Sequence, residues 1–329
     1  MKSILAICFA SAYGLAIRYL FLFFVNFTEV ISLSLVFVAP FAIGYVTVAL
    51  SGLEKVENSL SAFFRPWAVT AILLLLTIFL SLEGAICWVI IYPFFSVAAG
   101  IGGLIAYYFM RHRKQQAENA ENPDILDDFD RPGRLKMSPF LLLPFVLGLV
   151  EDDRFLSPAV HEVTREITVA APAEHVWKVL TAIDTIRAED DHSFFREVLD
   201  LPRHLRTELD TLAPGGRRTA YYERGLYFEE TIAECVPGRL LRLRIKSNPG
   251  SIPPHVLDEH VVIGGKHFKA LEDTYRLTPL PGGRCRVQLT GRVEINTPFN
   301  WYACRWANWL MSDAFDNLLQ IVQKRATVR

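Results

Sequence analysis

The stretch His161–Ile183, HEVTREITVAAPAEHVWKVLTAI, decides the fold of the second half of this chain. Val163, Ile167 and Val169 alternate with polar neighbours, the period-two signature of a half-buried strand. Pro172 then falls in the first turn of PAEHVWKVLTAI, where its missing N–H is tolerated, and Val176, Trp177, Leu180 and Ile183 recur at helical spacing. A strand therefore runs directly into a helix. The segment through DDHSFFREVLD, Asp190–Asp200, reads as a second short helix.

Downstream the pattern changes to strands and tight turns. Strand-like runs cover His204–Leu212, Arg217–Glu223, Leu226–Val236 and Arg239–Ser247, separated by APGG and Pro237-Gly238. In the last of these Leu241, Leu243 and Ile245 share one face while Arg242, Arg244 and Lys246 share the other, as in an antiparallel sheet with one wet side. A Pro/Gly-rich excursion, NPGSIPPHVLDEHVVIGG, precedes two more strands, His267–Leu277 and Arg284–Ile295. In the second, Cys285, Val287, Leu289, Gly291, Val293 and Ile295 are expected inward. Thr297-Pro298 then opens a long helix, Phe299 to about Arg325, whose inner face is read as Ala303, Ala307, Leu310, Ala314, Leu318, Ile321 and Arg325.

The first 110 residues are of a different kind. Eight ionisable Lys, Arg, Asp and Glu residues lie between Met1 and Met110, whereas charges recur every few positions from Arg111 onward. Ile4–Val25 has the length that crosses a hydrocarbon layer about 30 Å thick. Further spans are read at Val30–Leu50, Leu60–Leu82 and Ala85–Met110, so residues 1–110 are expected to hold four transmembrane helices. Lys2, then Lys55 and Arg65, then Arg111-His112-Arg113-Lys114 fall on one side of such a bundle, which places the amino terminus in the cytoplasm. Arg18 is read as snorkelling to the interface or meeting Glu29. The expected location is an integral, multi-pass position in a bacterial inner membrane.

Residues 111–136 are polar, mixed in charge and broken by Pro-Gly, and read as a linker. Residues 137–150, MSPFLLLPFVLGLV, would reach only about 21 Å as a helix. Basic residues precede this segment and Glu151-Asp152-Asp153 follow it, so it is either a thinned fifth span or an interfacial segment. That choice sets the side of the membrane on which residues 151–329 lie.

Net charge −1 and a pI near 6.7 give no positive field for nucleic acid, which is excluded as a partner. Five scattered cysteines (Cys8, Cys87, Cys235, Cys285, Cys304) suggest neither a zinc site nor a disulfide framework, and no cofactor is expected.

The residues EITVAAPAEHVWKVL, the strand-turn-strand pattern through Glu230-Thr231-Ile232 and Pro237-Gly238, TYRLTPLPGGRCRVQLTG and the terminal helix resemble the START-like (SRPBCC) superfamily, in particular its polyketide cyclase/dehydrase-like branch. The resemblance covers about residues 161–326. It implies an α+β helix-grip domain: a curved antiparallel sheet around a long carboxy-terminal helix, with a cavity between them for an apolar ligand.

Within such a cavity the candidates for acid–base chemistry are Asp191, His192, Glu229 and His260, drawn from the groups Asp190-Asp191-His192, Glu229-Glu230 and His255, Asp258, Glu259, His260. A carboxylate beside an imidazole can exchange protons in an apolar site; alternatively these residues cap helices or sit on wet loops. Candidate ligand-binding residues are Tyr222, Tyr275, Tyr302, Arg305, Trp306 and Trp309. The aromatic run from Phe299 to Trp309 has three readings: a pocket wall, rings resting at the lipid headgroups, or ordinary core. No metal-ligand spacing such as HExxH is present.

The expected function is a membrane-anchored binding or transfer module for an apolar, lipid-like molecule, with the bilayer, that small molecule and a membrane-protein partner as associates. The alternatives are a cyclase, dehydratase or hydrolase acting on an apolar substrate, and a scaffold of a membrane complex.

Overall fold

The computed structural model describes residues 2–24, 33–80, 85–118, 139–150, 156–183, 185–246 and 265–327. His255, Asp258, Glu259 and His260 lie outside the described residues. The chain divides into two compact units, Met1–Phe155 and Leu156–Arg329.

The first unit is helical: α1 (Lys2–Phe24), α2 (Ala39–Ser51) continuing a π-helical turn at Ser34–Val38, α3 (Ser59–Phe79) and α4 (Ala85–Glu118). Asn58 caps α3 by accepting the Ser61 N–H at 2.8 Å. Among the described residues, three apolar stretches, Ser34–Ser51, Ser59–Phe79 and Trp88–Gln116, are long and apolar enough to cross a membrane, and α1 contributes the shorter Leu5–Leu20. Small residues let α2 and α4 touch backbone to backbone. A Cβ on Gly44 would stand 1.8 Å from the Ala99 carbonyl oxygen, and one on Gly102 would stand 2.0 Å from that of Phe41. Polar pairs between α3 and α4 include Trp88 Nε1 donating to Thr77 Oγ1 at 2.8 Å and Thr70 facing Ser96 at 3.2 Å. Large apolar side chains such as Leu60, Phe64, Leu75 and Phe79 point outward.

Within the segment 137–150, the described part is a 3-10 turn at Pro139–Leu142 followed by the helix α5 (Leu143–Val150). It lies against the helices of its own unit. Tyr13 Oη donates to the Leu141 carbonyl at 2.6 Å, and Phe145 packs with Ile17 and Ala39.

The second unit is a seven-stranded sheet, β1 (Ala159–Val169), β2 (His204–Leu209), β3 (Arg217–Tyr222), β4 (Tyr227–Val236), β5 (Leu240–Lys246), β6 (Phe268–Leu280) and β7 (Arg284–Ile295). Every pairing is antiparallel, in the order β1-β7-β6-β5-β4-β3-β2. Two short helices, α6 (Ala173–Thr181) and α7 (Phe194–Leu199), join β1 to β2, and the long α8 (Asn300–Thr327) crosses β1 and β7. This curled half-barrel with a terminal helix is the helix-grip arrangement. Val169, Leu277, Cys285, Val287 and Leu289 meet Leu319 and Val322 of α8 and Trp177 of α6 in one dry cluster.

The alternation expected for β5 and β7 is present, with all six inward positions of β7 buried. The face of α8 agrees with expectation in part. Ala307 and Ile321 are buried and Ala303 and Leu318 pack against the core as expected, but Ala314 is exposed, and the buried positions also include Leu319, Val322 and Ala326, with Met311 and Phe315 half-buried beside them. The reason lies in β7: with no side chain on Gly291, the Phe315 ring moves in to where a Cβ would be 2.4 Å away. A bulky residue thus occupies the face that small residues were expected to line.

Candidate functional site

The concave side of the sheet carries charge where apolar residues are the rule. On β3, Arg218, Ala220 and Tyr222 face inward, and on β4 so do Phe228, Glu230 and Ile232. Arg218 and Glu230 are cross-strand partners, and their side chains form an ion pair at 2.5 Å with only 8% and 7% of each exposed. On β6 the inward residues Asp273, Tyr275 and Leu277 continue the same surface, with Asp273 opposite Gly291. An ion pair this dry survives because each charge is matched; neither would be tolerated alone.

The electrostatics follow from that placement. Burial pushes the Asp273 carboxyl up to about 7, the Glu230 carboxylate adds to the rise, and the Arg218 guanidinium partly offsets it. Tyr222 and Tyr275 have hydroxyls raised above their ordinary range, chiefly by burial. His204 of β2 stacks on Tyr222 with ring centroids 4.8 Å apart. Its imidazole is pushed down to about 4 by burial and then by the Arg218 charge, so it is neutral at pH 7. The site therefore holds a fixed ion pair, two phenol donors and a carboxyl that changes charge near neutrality. Such a set can grip the polar end of an apolar molecule or pass a proton to it.

Packing is uneven around this cluster. From Ile232 to Phe228, from Leu243 to Ile245, from Tyr275 to Asp273 and from Ala220 to Tyr222, the inward side chains become more exposed toward one end of the sheet. That is the end where β1 and α8 begin, as the pairing of Ala159 with Ile295 fixes. β7 stays buried throughout because α8 lies along it.

The residues singled out from sequence separate into groups. Tyr275 is buried in the charged cluster and Tyr222 is half-buried beside it. Glu229 is exposed on the outer face, and its neighbour Glu230 is the carboxylate that turns inward. Asp191 is buried but pairs with Arg196 at 2.8 Å and accepts from Asn317 Nδ2 at 3.0 Å. His192 is exposed, with its backbone N–H donating to Asn317 Oδ1 at 2.8 Å. With Ser193 donating to Asp313 at 2.6 Å, this loop ties α7 to α8. His260 lies outside the described residues. Tyr302, Trp306 and Trp309 form a ladder of ring contacts on α8 that extends through Trp306 to Phe195 of α7 at 6.3 Å, with Arg305 exposed among them. Arg218, Asp273 and His204 were not singled out. The available signal was parity, since a charged residue alternating in step with Tyr275 and Leu277, or with Ala220 and Tyr222, must face the core. Among the described residues no three His, Cys, Asp or Glu side chains come together as a metal site.

Residues 160–327, half of the chain, match the family model described as polyketide cyclase / dehydrase and lipid transport. The chain belongs to this family. No curated protein matches it. Solved structures similar to this polyketide cyclase/dehydrase family chain include truncated norcoclaurine synthase from Thalictrum flavum, at 12% identity over 53% of this chain and 97% of that one, with a TM-score of 0.33. The Zhui aromatase/cyclase from Streptomyces sp. R1128 matches at 16% identity over 51% and 94%, with a TM-score of 0.31. A START superfamily protein from Mycobacterium smegmatis matches at 14% identity over 50% and 97%, with a TM-score of 0.33.

Proposed function

We propose that the protein is a membrane-anchored binding or transfer module whose helix-grip domain takes an apolar, lipid-like ligand by its polar end. The observation that carries this reading is the set of Arg218, Glu230 and Tyr275, buried, with Asp273 and Tyr222 half-buried beside them, on an otherwise apolar concave surface. Apolar walls take the chain of such a ligand, and the tyrosine hydroxyls, Arg218 and a protonated Asp273 supply donors for a carbonyl, hydroxyl or carboxylate. The outward Leu60, Phe64, Leu75 and Phe79 of the first unit support its placement in a bilayer, because a water-facing bundle would expose charges there. Anchoring holds the domain close to membrane-dissolved molecules and so raises their effective concentration.

We read the side of the membrane from the direction of α5. From Leu141 beside Tyr13 to Phe145 beside Ile17, the segment advances in the same direction as α1. With Lys and Arg keeping the amino terminus in the cytoplasm, a segment parallel to α1 leads to the opposite side. Protease added outside oriented vesicles should then cut the domain, whereas protection until detergent is added would contradict this topology.

Ligand binding is tested by thermal melting of the full chain in detergent with added fatty acids and phospholipids. A rise in melting temperature, reduced in Tyr275→Phe and Asp273→Asn, is expected; no rise with any apolar additive would overturn the reading. Asp273, with its proton exchanging near pH 7, supports a second reading as a cyclase- or dehydratase-type acid–base catalyst. Turnover of a supplied polyketide-like substrate that survives Asp273→Asn unchanged would rule that role out.

A further inference from the structure

Trp301 and Trp309 near the start of α8 are not core. Trp301 is 62% exposed and Trp309 49%, and Phe194 on the neighbouring α7 is 62% exposed. Their rings form one continuous surface: Trp301 meets Tyr302 at 5.8 Å, Tyr302 meets Trp306 at 6.4 Å, Trp306 meets Trp309 at 5.3 Å and Phe195 at 6.3 Å, and Phe195 meets Phe194 at 5.3 Å. From Asn300 to Ser312 the one charged residue is Arg305, which is exposed. A water-facing surface of a small domain rarely gathers such a patch without a use.

Two facts say what covers it. Asn300, the first residue of α8, donates through Nδ2 to the Ser157 carbonyl at 2.5 Å, so the chain arriving from the apolar segment enters the domain at the aromatic end. Val150 and Ser157 are seven residues apart, a tether that reaches about 25 Å at most. This is also the end toward which the inward side chains of β3 to β6 become more exposed. Indole and phenol rings combine an apolar body with a polar tip and favour the headgroup level of a bilayer, and a lone arginine suits lipid phosphates.

We propose that the less tightly packed end of the helix-grip domain docks on the bilayer surface, with Trp301, Tyr302, Trp309 and Phe194 at the level of the headgroups and Arg305 on lipid phosphate. A ligand then passes between membrane and grip without crossing water. The proposal rests on the first unit being membrane-embedded, and the test keeps the two apart.

The full-length chain, carrying photoreactive benzoylphenylalanine in place of Trp301, Trp309, Leu75 or Lys178 in turn, is reconstituted in vesicles of phosphatidylcholine and phosphatidylglycerol and illuminated. Leu75 is an outward residue of α3, and Lys178 is an exposed residue of α6 at the tightly packed end. Lipid adducts at 301 and 309 approaching those at 75, and at least about tenfold above those at 178, are expected. Adducts at 75 with 301 and 309 no higher than 178 overturn the docking and leave the anchor standing. Adducts from 301 and 309 to a protein chain instead of lipid also overturn it. No lipid adduct at 75 overturns the membrane placement itself, and the docking with it.

Discussion

Arg218 and Glu230 face each other across two adjacent strands with little water near either, and this pair sets what the concave surface tolerates. Removing one partner leaves the other charge buried and uncompensated. Arg218→Met is therefore expected to cost about 3–5 kcal/mol, visible as a large fall in melting temperature, while the double change Arg218→Met with Glu230→Met should recover much of the loss. Equal destabilisation by the single and double changes would contradict a paired role. Asp273 makes a pH-dependent contribution of known sign. Its carboxyl is raised to about 7 in the fold from an ordinary value of 3.8, so the folded state holds the proton more tightly between those limits. Its contribution to stability is present at low pH and is lost as pH rises through about 7. His204, lowered to about 4, works in the opposite direction between pH 4 and 6.5. In melting curves taken from pH 5 to pH 8, Asp273→Asn should gain stability relative to the unsubstituted protein as pH rises; a constant difference would show that this carboxyl is not strained.

At the scale of elements, the strands and their inward faces were legible in sequence because period-two alternation is strong wherever one face is wet. β7 shows this along its length, and the Pro237-Gly238 turn places β4 against β5. The terminal helix was legible in extent and in part of its inner face, with Ala307 and Ile321 buried, but not in the bulky residues that share that face. Its face was read from small residues, whereas Gly291 on the opposing strand admits Phe315 and Met311. A helix sequence carries no record of the strand it will meet. The ionic cluster was missed for a related reason, since Arg218 and Asp273 resemble surface residues until their parity is compared with that of Tyr222 and Tyr275. Between α2 and α4 a glycine requirement is equally specific. Gly44→Ala puts a methyl group 1.8 Å from the Ala99 carbonyl oxygen, so the helices must part. Overpacking of this kind typically costs about 1–3 kcal/mol, and a lower melting temperature of the full chain in detergent is the expected result. An unchanged melting temperature would show that the crossing is loose.

For the whole molecule, composition alone separated an apolar first part from a charged second part, and the structure divides at Phe155 and Leu156. What sequence left open was the role of residues 137–150, too short for a full span by length alone. Their meaning depends on neighbours: Tyr13 donates to Leu141, and Phe145 sits between Ile17 and Ala39. A contact between residues 128 positions apart leaves no local signature. Under the proposed function these parts form one device, an anchor that keeps an apolar grip with a polar floor beside a supply of membrane-dissolved ligand. The proposed function requires that the grip be occupied. Mass spectrometry of the intact, non-denatured chain released from mild detergent measures occupancy directly. One apolar molecule bound per chain is expected, reduced at least about tenfold by Asp273→Asn and Tyr275→Phe together; a chain that always flies at its bare mass, with and without added lipid, would contradict the proposed function.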